Sequence, residues 1–234
     1  MPGPPVRAVA VVVPVRNEEG LLARALDGIH RAGASLVDSA ARPIRTVTVL
    51  VLDSCDDGSA GIARRSGAEV LEIEAGDVGR ARAAGCRAAL ELLAGCQPET
   101  IWIGNTDADS FVPSDWLARQ LELADAGWDV VLGRVQPDLA DLPEALHRTS
   151  ITAVPTSGER IYGANLGVRA SAYVAAGGFR PARVHEDQRL VAALRRTGAR
   201  VTASIATPVL TSGRIEGRTP GGYAGFLRDA MAGA

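Results

Sequence analysis

The sequence predicts an α/β domain built on a mainly parallel, Rossmann-like sheet with helices on both faces. Short valine-rich runs alternate with helical patterns through the first 105 residues, and each run ends in a polar, acidic or glycine-bearing segment. Strands that alternate with helices in this way form βαβ crossovers and a mainly parallel sheet. Length and composition agree: 234 residues with 47% hydrophobic content are enough for one packed domain.

Taken in order, residues 9–13 form a continuous apolar run stopped by Pro14, the pattern of a strand buried on both faces. Asn17 is placed to cap a following helix, whose stripe of Leu21, Leu22, Ala25, Leu26 and Ile29 ends at Gly33. Strands follow at 46–52, 70–73 and 100–104, separated by helices at 59–65 and 78–93. Beyond residue 110 the pattern loosens. Pro113 and Ser114 open a helix through Asp125, 128–135 reads as a strand, and 137–160 is polar and interrupted by proline. A strand at 162–168, an amphipathic helix at 186–196 and a strand at 201–205 complete the domain. The tail from Thr211 reads as a mobile loop followed by a docking helix around Tyr223, Phe226 and Leu227.

Composition removes several function classes. Net charge is −2, so no electrostatic footprint for nucleic acid is present. All 25 basic residues are arginine, which excludes a Walker A loop and any Schiff-base lysine. Cys55, Cys86 and Cys96 form no CxxC pair, and His30, His147 and His185 have no metal-ligand spacing. This is the pattern of a reduced, cytoplasmic protein. The apolar run 8–15 contains Pro14 and leads directly into Arg16-Asn17-Glu18-Glu19, unlike a secretory h-region. No stretch approaches the roughly 20 apolar residues of a membrane span, which leaves only peripheral membrane contact open.

In an open parallel sheet, ligands bind beyond the carboxyl ends of the strands. Two segments there, and two at helix starts, carry chemistry. Thr106-Asp107-Ala108-Asp109 follows the fourth strand; in an extended chain its two carboxylates face one side, where a hard divalent cation relieves their repulsion, and the alternative is a turn and helix cap. An EF-hand is a poor alternative, because its twelfth position, counted from Asn105, is Trp116 rather than Glu. Asp53-Ser54-Cys55-Asp56-Asp57-Gly58-Ser59 follows the second strand and suits a base N–H or ribose hydroxyls, or else a turn with an N-cap. Gly79-Arg80-Ala81-Arg82 at a helix start suits a diphosphate, or is a solvated arginine face. His185-Glu186-Asp187 begins the late helix and offers either a cap or a general base for an attacking hydroxyl.

Together these segments resemble, in order and over about the first 210 residues, a family 2 glycosyltransferase of the GT-A fold. Val11-Val12-Val13-Pro14-Val15-Arg16-Asn17-Glu18-Glu19 resembles the opening strand and nucleotide-binding turn, implying donor contacts from Pro14, Arg16, Asn17 and Glu19. The second acidic segment implies Asp53 at the base or ribose, and the arginine segment implies Arg80 and Arg82 near the diphosphate. The DxD implies Asp109 as direct metal ligand for Mg²⁺ or Mn²⁺, with Asp107 sharing the metal and the ribose. Tyr162-Gly163-Ala164-Asn165-Leu166-Gly167-Val168-Arg169, followed by Gly177-Gly178-Phe179, is similar to the segment lining the sugar and acceptor pocket, so Gly163, Ala164, Asn165 and Glu186 are assigned to it. Glu186-Asp187 resembles the late ED motif and makes Asp187 the base of an inverting transfer.

The resemblance implies a donor-binding half at 1–110, an acceptor-binding half at 111–210, and a C-terminal loop and docking helix at 211–234. The donor is a nucleoside-diphosphate sugar, UDP favoured over GDP or dTDP, and the acceptor is an unidentified hydroxyl. The QxxRW sequence of processive synthases is absent, so transfer is non-processive. No histidine follows His185 to serve as a late metal ligand, and residues 211–214 are the candidate phosphate contact in its place. A retaining transferase of the same fold, or a catalytically degenerate one acting as a binding module, are the rival readings. Nucleotidyl transfer is disfavoured, because it relies on a lysine-bearing glycine-rich loop after the first strand.

Overall fold

The computed structural model describes residues 3–39, 42–142 and 160–214. Its elements in chain order are β1 (Ala8–Val15), α1 (Leu22–Ser39), β2 (Arg45–Asp53), α2 (Ser59–Arg65), β3 (Glu69–Ile73), α3 (Val78–Leu92) and β4 (Ile101–Asn105). There follow β5 (Ser110–Phe111), α4 (Trp116–Asp125), β6 (Val130–Pro137), β7 (Leu166–Arg169), α5 (Ala170–Ala175), α6 (Glu186–Arg196) and β8 (Val201–Thr211). The eight described strands form one sheet in the order β3-β2-β1-β4-β7-β6-β8-β5. Neighbours are parallel except where β7 pairs with β4 and β6, and where β5 pairs with β8.

The predicted architecture is therefore the observed one, and the strand alternation shows why. Val9, Val11, Val13 and Val15 of β1 point to one face, against Leu22, Leu26 and Ile29 of α1 and Trp116, Leu117 and Leu121 of α4. Ala8, Ala10 and Val12 point to the other, against Ala81, Ala84 and Ala89 of α3 and Leu190, Val191 and Leu194 of α6. A strand covered on both faces has no polar side, which is why the run reads as continuous.

Four local expectations are corrected. Asn17 is not the cap of α1: it takes a left-handed φ of 53°, and the helix begins five residues later. Gly33 lies inside α1, because the apolar stripe continues to Leu36 and packing outweighs the modest cost of a mid-helix glycine. The expected strand at 162–168 begins only at Leu166, preceded by a 3₁₀ turn at Gly163–Asn165. Strand β8 runs on to Thr211, past a bulge in its partner β6 between Gly133 and Val135, and then pairs through Thr211 with Ser110 of β5. The expected docking helix and most of the polar 137–160 stretch lie outside the described residues.

The register gathers the polar loops at one edge. Val15 pairs with Leu52 and Val12 with Asn105, so β1, β2 and β4 end side by side. Asn105 also pairs with Leu166, the first residue of antiparallel β7, which brings the 163–165 turn to the same edge. Pro137 pairs with Thr211, adding the ends of β6 and β8.

Gly85 shows how closely α3 lies on the sheet: a Cβ there would come 2.5 Å from Val12 Cγ1 and 2.9 Å from Val51 Cγ2. Gly85→Ala is predicted to lower stability by about 1–3 kcal/mol through overpacking, despite the better helix propensity of alanine. In urea unfolding the midpoint should fall with an unchanged slope; an equal or higher midpoint would show that α3 shifts freely on the sheet.

Candidate active site

The turns after β1 and β2 are stitched to each other. The Asn17 amide donates to Asp56 Oδ1 at 2.5 Å, and its own oxygen accepts the Asp56 N–H at 2.9 Å. The Glu19 N–H donates to Asp57 Oδ2 (3.0 Å), while Glu19 Oε2 accepts the Gly58 N–H (2.7 Å). The Glu18 N–H donates to Ser59 Oγ (2.8 Å). Much of the acidity in these two segments therefore satisfies backbone donors that the sheet leaves unpaired at its edge.

Asp53 is held in the same manner. Its Oδ1 accepts the Ala75 and Gly76 N–H groups, both at 2.8 Å, and its Oδ2 accepts that of Asp77 at 2.9 Å. Burial acts to raise its pKa, but the N–H groups of Gly76, Asp77 and Ala75 outweigh it and hold the carboxyl below the ordinary 3.8. Asp53 thus organises the loop leading into α3. Asp77 caps that helix by accepting the Arg80 N–H at 2.8 Å. Arg80 and Arg16 are exposed, and Pro14 is half-buried at the end of β1.

Arg82 faces inward and is 2% exposed. Its guanidinium binds Asp107 Oδ1 at 2.5 Å and Glu186 Oε1 at 3.1 Å, and donates to the Thr106 carbonyl at 3.4 Å. A Cβ on Gly163 would meet Arg82 at 2.6 Å, so only glycine lets the 163–165 turn close over the guanidinium. Burial works against the charge of Arg82, but Asp107 and Glu186 keep it firmly protonated. One buried cation thus joins the acidic turn after β4 to the start of α6.

Residues 106–109 form a turn rather than an extended segment, with the Ser110 N–H donating to the Asp107 carbonyl at 3.2 Å. The two carboxylates consequently take different partners: Asp107 meets Arg82, and Asp109 Oδ2 meets Arg214 at 2.7 Å. Burial, with Asp107 beside it, pushes the Asp109 carboxyl up to about 6 against the pull of Arg214. Arg214 also forks onto Glu18, at 2.7 and 3.0 Å. Nothing local in the sequence marks Glu18 for this contact, because its partner lies 196 residues away.

Asp187 Oδ2 accepts the Gly163 N–H at 2.8 Å, and Oδ1 accepts the N–H of Gln188 at 2.7 Å. Burial raises its pKa, and the Gln188 N–H, Arg82 and the Gly163 N–H offset part of the rise. Glu186 is raised by burial as well, with Arg82 opposing. Ala164 and Asn165 are placed differently from Gly163. Ala164 is buried in the core, and Asn165 accepts from Trp116 Nε1 (2.8 Å) while donating to the Arg134 (2.9 Å) and Thr207 (3.0 Å) carbonyls. The Asn165 amide is saturated, and its evident work is to fix the 163–165 turn.

The carboxylates fit a hard cation that is completed by a substrate. Among the described residues no group of three or more His, Cys, Asp or Glu is placed to hold a metal. Mg²⁺ and Mn²⁺ sites built from one or two carboxylates plus substrate phosphates do not need such a cage. The half-buried Asp109 with Asp107 beside it supplies that donor set, and the guanidinium on it shows that positive charge is accommodated there.

The fold is that of the GT-A transferases. The chain belongs to glycosyl transferase family 2, whose model matches residues 10–180. A dolichyl-phosphate hexose transferase of Haloferax volcanii is 32% identical over 125 residues, 53% of this chain and 46% of that protein. The mannosyltransferase PcManGT from Pyrobaculum calidifontis, solved with GDP-Man and Mn²⁺, superposes with a TM-score of 0.62 at 20% identity, over 99% of this chain and 71% of that one. TarS 1–349 of S. aureus with UDP also gives 0.62, at 15% identity over 88% and 61%. The M. tuberculosis glucosyl-3-phosphoglycerate synthase with Mn²⁺, UDP-Glc and glycerol 3-phosphate gives 0.54 at 16% identity, over 97% and 78%. At these identities the solved structures share the fold. The chain spans about half the length of the Haloferax relative.

Arg82→Leu would leave the Asp107 and Glu186 carboxylates without their buried cation. The expected cost is about 3–5 kcal/mol in urea unfolding, partly recovered when Glu186→Gln is added in the same chain. A loss below about 1 kcal/mol would mean that water takes the place of the guanidinium.

Proposed function

We propose that this chain transfers a sugar from a nucleoside-diphosphate donor to an acceptor hydroxyl, with inversion, in a single non-processive step. The observation that carries the reading is the placement of Asp187. Its carboxylate is oriented by two backbone N–H groups, has a raised proton affinity, and is linked through Glu186 and Arg82 to the acidic turn after β4. A base that must accept a proton near neutral pH benefits from such a rise. Asp187 takes the proton of the acceptor hydroxyl as its oxygen attacks the anomeric carbon; the bond from that carbon to the diphosphate breaks, and its electron pair leaves with the nucleotide.

In this reading residues 1–110 bind the donor and 111–210 the acceptor, and the C-terminal segment 211–234 starts against the acidic turn through Ser212 and Arg214. Pro14, Arg16, Asn17 and Glu19 line the nucleotide, with Asp53 holding the loop beside it and Arg80 at the helix start nearest the diphosphate. Asp109, with Asp107, holds Mg²⁺ or Mn²⁺, which when bound neutralises charge on the departing diphosphate. The UDP, GDP-Man and UDP-Glc in the solved relatives support a nucleotide-sugar donor, and the Mn²⁺ in two of them supports the metal. Among the described residues no helix is long and apolar enough to cross a membrane. We place the chain in the cytoplasm, and the name of the Haloferax relative supports contact with a membrane surface.

Two measurements test this. Thermal unfolding with UDP, GDP and dTDP, each with Mn²⁺ or with EDTA, should show a metal-dependent shift with one nucleotide. At about 100 times its Kd a ligand adds about 2.7 kcal/mol, or roughly 5–10 °C here; no shift with any of them would sink the donor assignment. Asp187→Asn should keep that shift while turnover falls by roughly 10² to 10⁴. Unchanged turnover in the variant would remove Asp187 from the reaction.

A further inference from the structure

Glu18 and Asp109 reach one point from two different strand ends, and what lies between them is Arg214. The guanidinium contacts both Glu18 oxygens and Asp109 Oδ2, all three at 2.7–3.0 Å. The approach is imposed by β8. Thr211 pairs with Ser110, the Ser110 and Thr211 hydroxyls bond at 2.9 Å, and the Ser212 N–H donates to the Asp109 carbonyl at 3.0 Å. The Arg214 side chain is 30% exposed, against 9% for Glu18 and 15% for Asp109, so two sheltered anions share a partner that is itself open to solvent.

Asp109 Oδ2, the oxygen bound by Arg214, belongs to the carboxylate that the proposed function assigns to the divalent cation. One half-buried carboxylate does not serve a guanidinium and a hard divalent cation at the same oxygen, because the two cations also repel each other. We infer that Arg214 is the resident counter-cation of the Glu18–Asp109 pair, and that a divalent cation loads only by displacing it. Loading the cation then uncouples residues 212–214 from the acidic turn. Arg214 thereby sets the cation affinity of the site, and its release ties the placement of residues 212–214 to cation loading. The inference rests on the metal-dependent reading above.

Mn²⁺ binding to the full chain without nucleotide, read from the loss of the free-ion EPR signal, tests it. Arg214→Ala should bind Mn²⁺ roughly 10- to 100-fold more tightly than the unsubstituted chain, the range expected for removing a competing charge-assisted hydrogen bond. Arg214→Lys, which keeps the charge and loses the fork, should fall between them. Equal or weaker Mn²⁺ binding by Arg214→Ala would overturn the displacement and leave the metal reading standing. No Mn²⁺ binding by either chain, alone or with UDP, GDP or dTDP present, would overturn both. Should Arg214→Ala not fold, hydrogen exchange on the unsubstituted chain decides: Mn²⁺ should speed exchange in 209–214, and unchanged exchange with Mn²⁺ bound would overturn the inference.

Discussion

A guanidinium that is almost wholly out of water is costly unless carboxylates and carbonyls replace its hydration, and Arg82 obtains both from separate parts of the chain. Asp107 and the Thr106 carbonyl come from the turn after β4, and Glu186 from the start of α6. Neither carboxylate sits comfortably in its place without the cation, and the cation cannot stay without them. The turn at 163–165 closes over the same guanidinium, and its Gly163 N–H then orients Asp187. The geometry of the late helix, the acidic turn and the Asp187 carboxylate therefore depends on one buried charge.

Around that centre the acidic residues divide into two kinds. Asp53, Asp56, Asp57 and Glu19 spend their oxygens on backbone N–H groups or on an amide, which makes the loops at the sheet edge rigid. Asp109 and Glu18 meet a side-chain cation instead, and Asp109 is driven to a raised proton affinity by burial beside Asp107. A rigid edge with an under-neutralised carboxylate is what the proposed nucleoside-diphosphate donor with its divalent cation would require.

The strands of the first half were legible because burial on both faces forces unbroken apolar runs, and β1 to β4 all fall within two residues of their expected limits. Helices α2 and α6 match their expected spans, since a glycine or an acidic first turn precedes an amphipathic stripe in each case. The start of α1 was misread because Asn17 has the composition of a cap, and only the neighbouring turn shows that its amide is used by Asp56. Asn165 was legible as a special residue from its glycine-flanked motif, but its task in the core is set by Trp116, Arg134 and Thr207.

By itself the sequence determined the α/β class, the order of the polar segments and the candidate chemistry of DxD and ED, because periodicity and local spacing are properties of neighbouring residues. It also determined that every cation in the site is an arginine. The tertiary structure decided which of those charges meet. Arg82 with Asp107 and Glu186, and Arg214 with Glu18 and Asp109, are pairings across 25 to 196 residues. Such contacts are created by strand register at the sheet edge, and no local pattern in the chain records them.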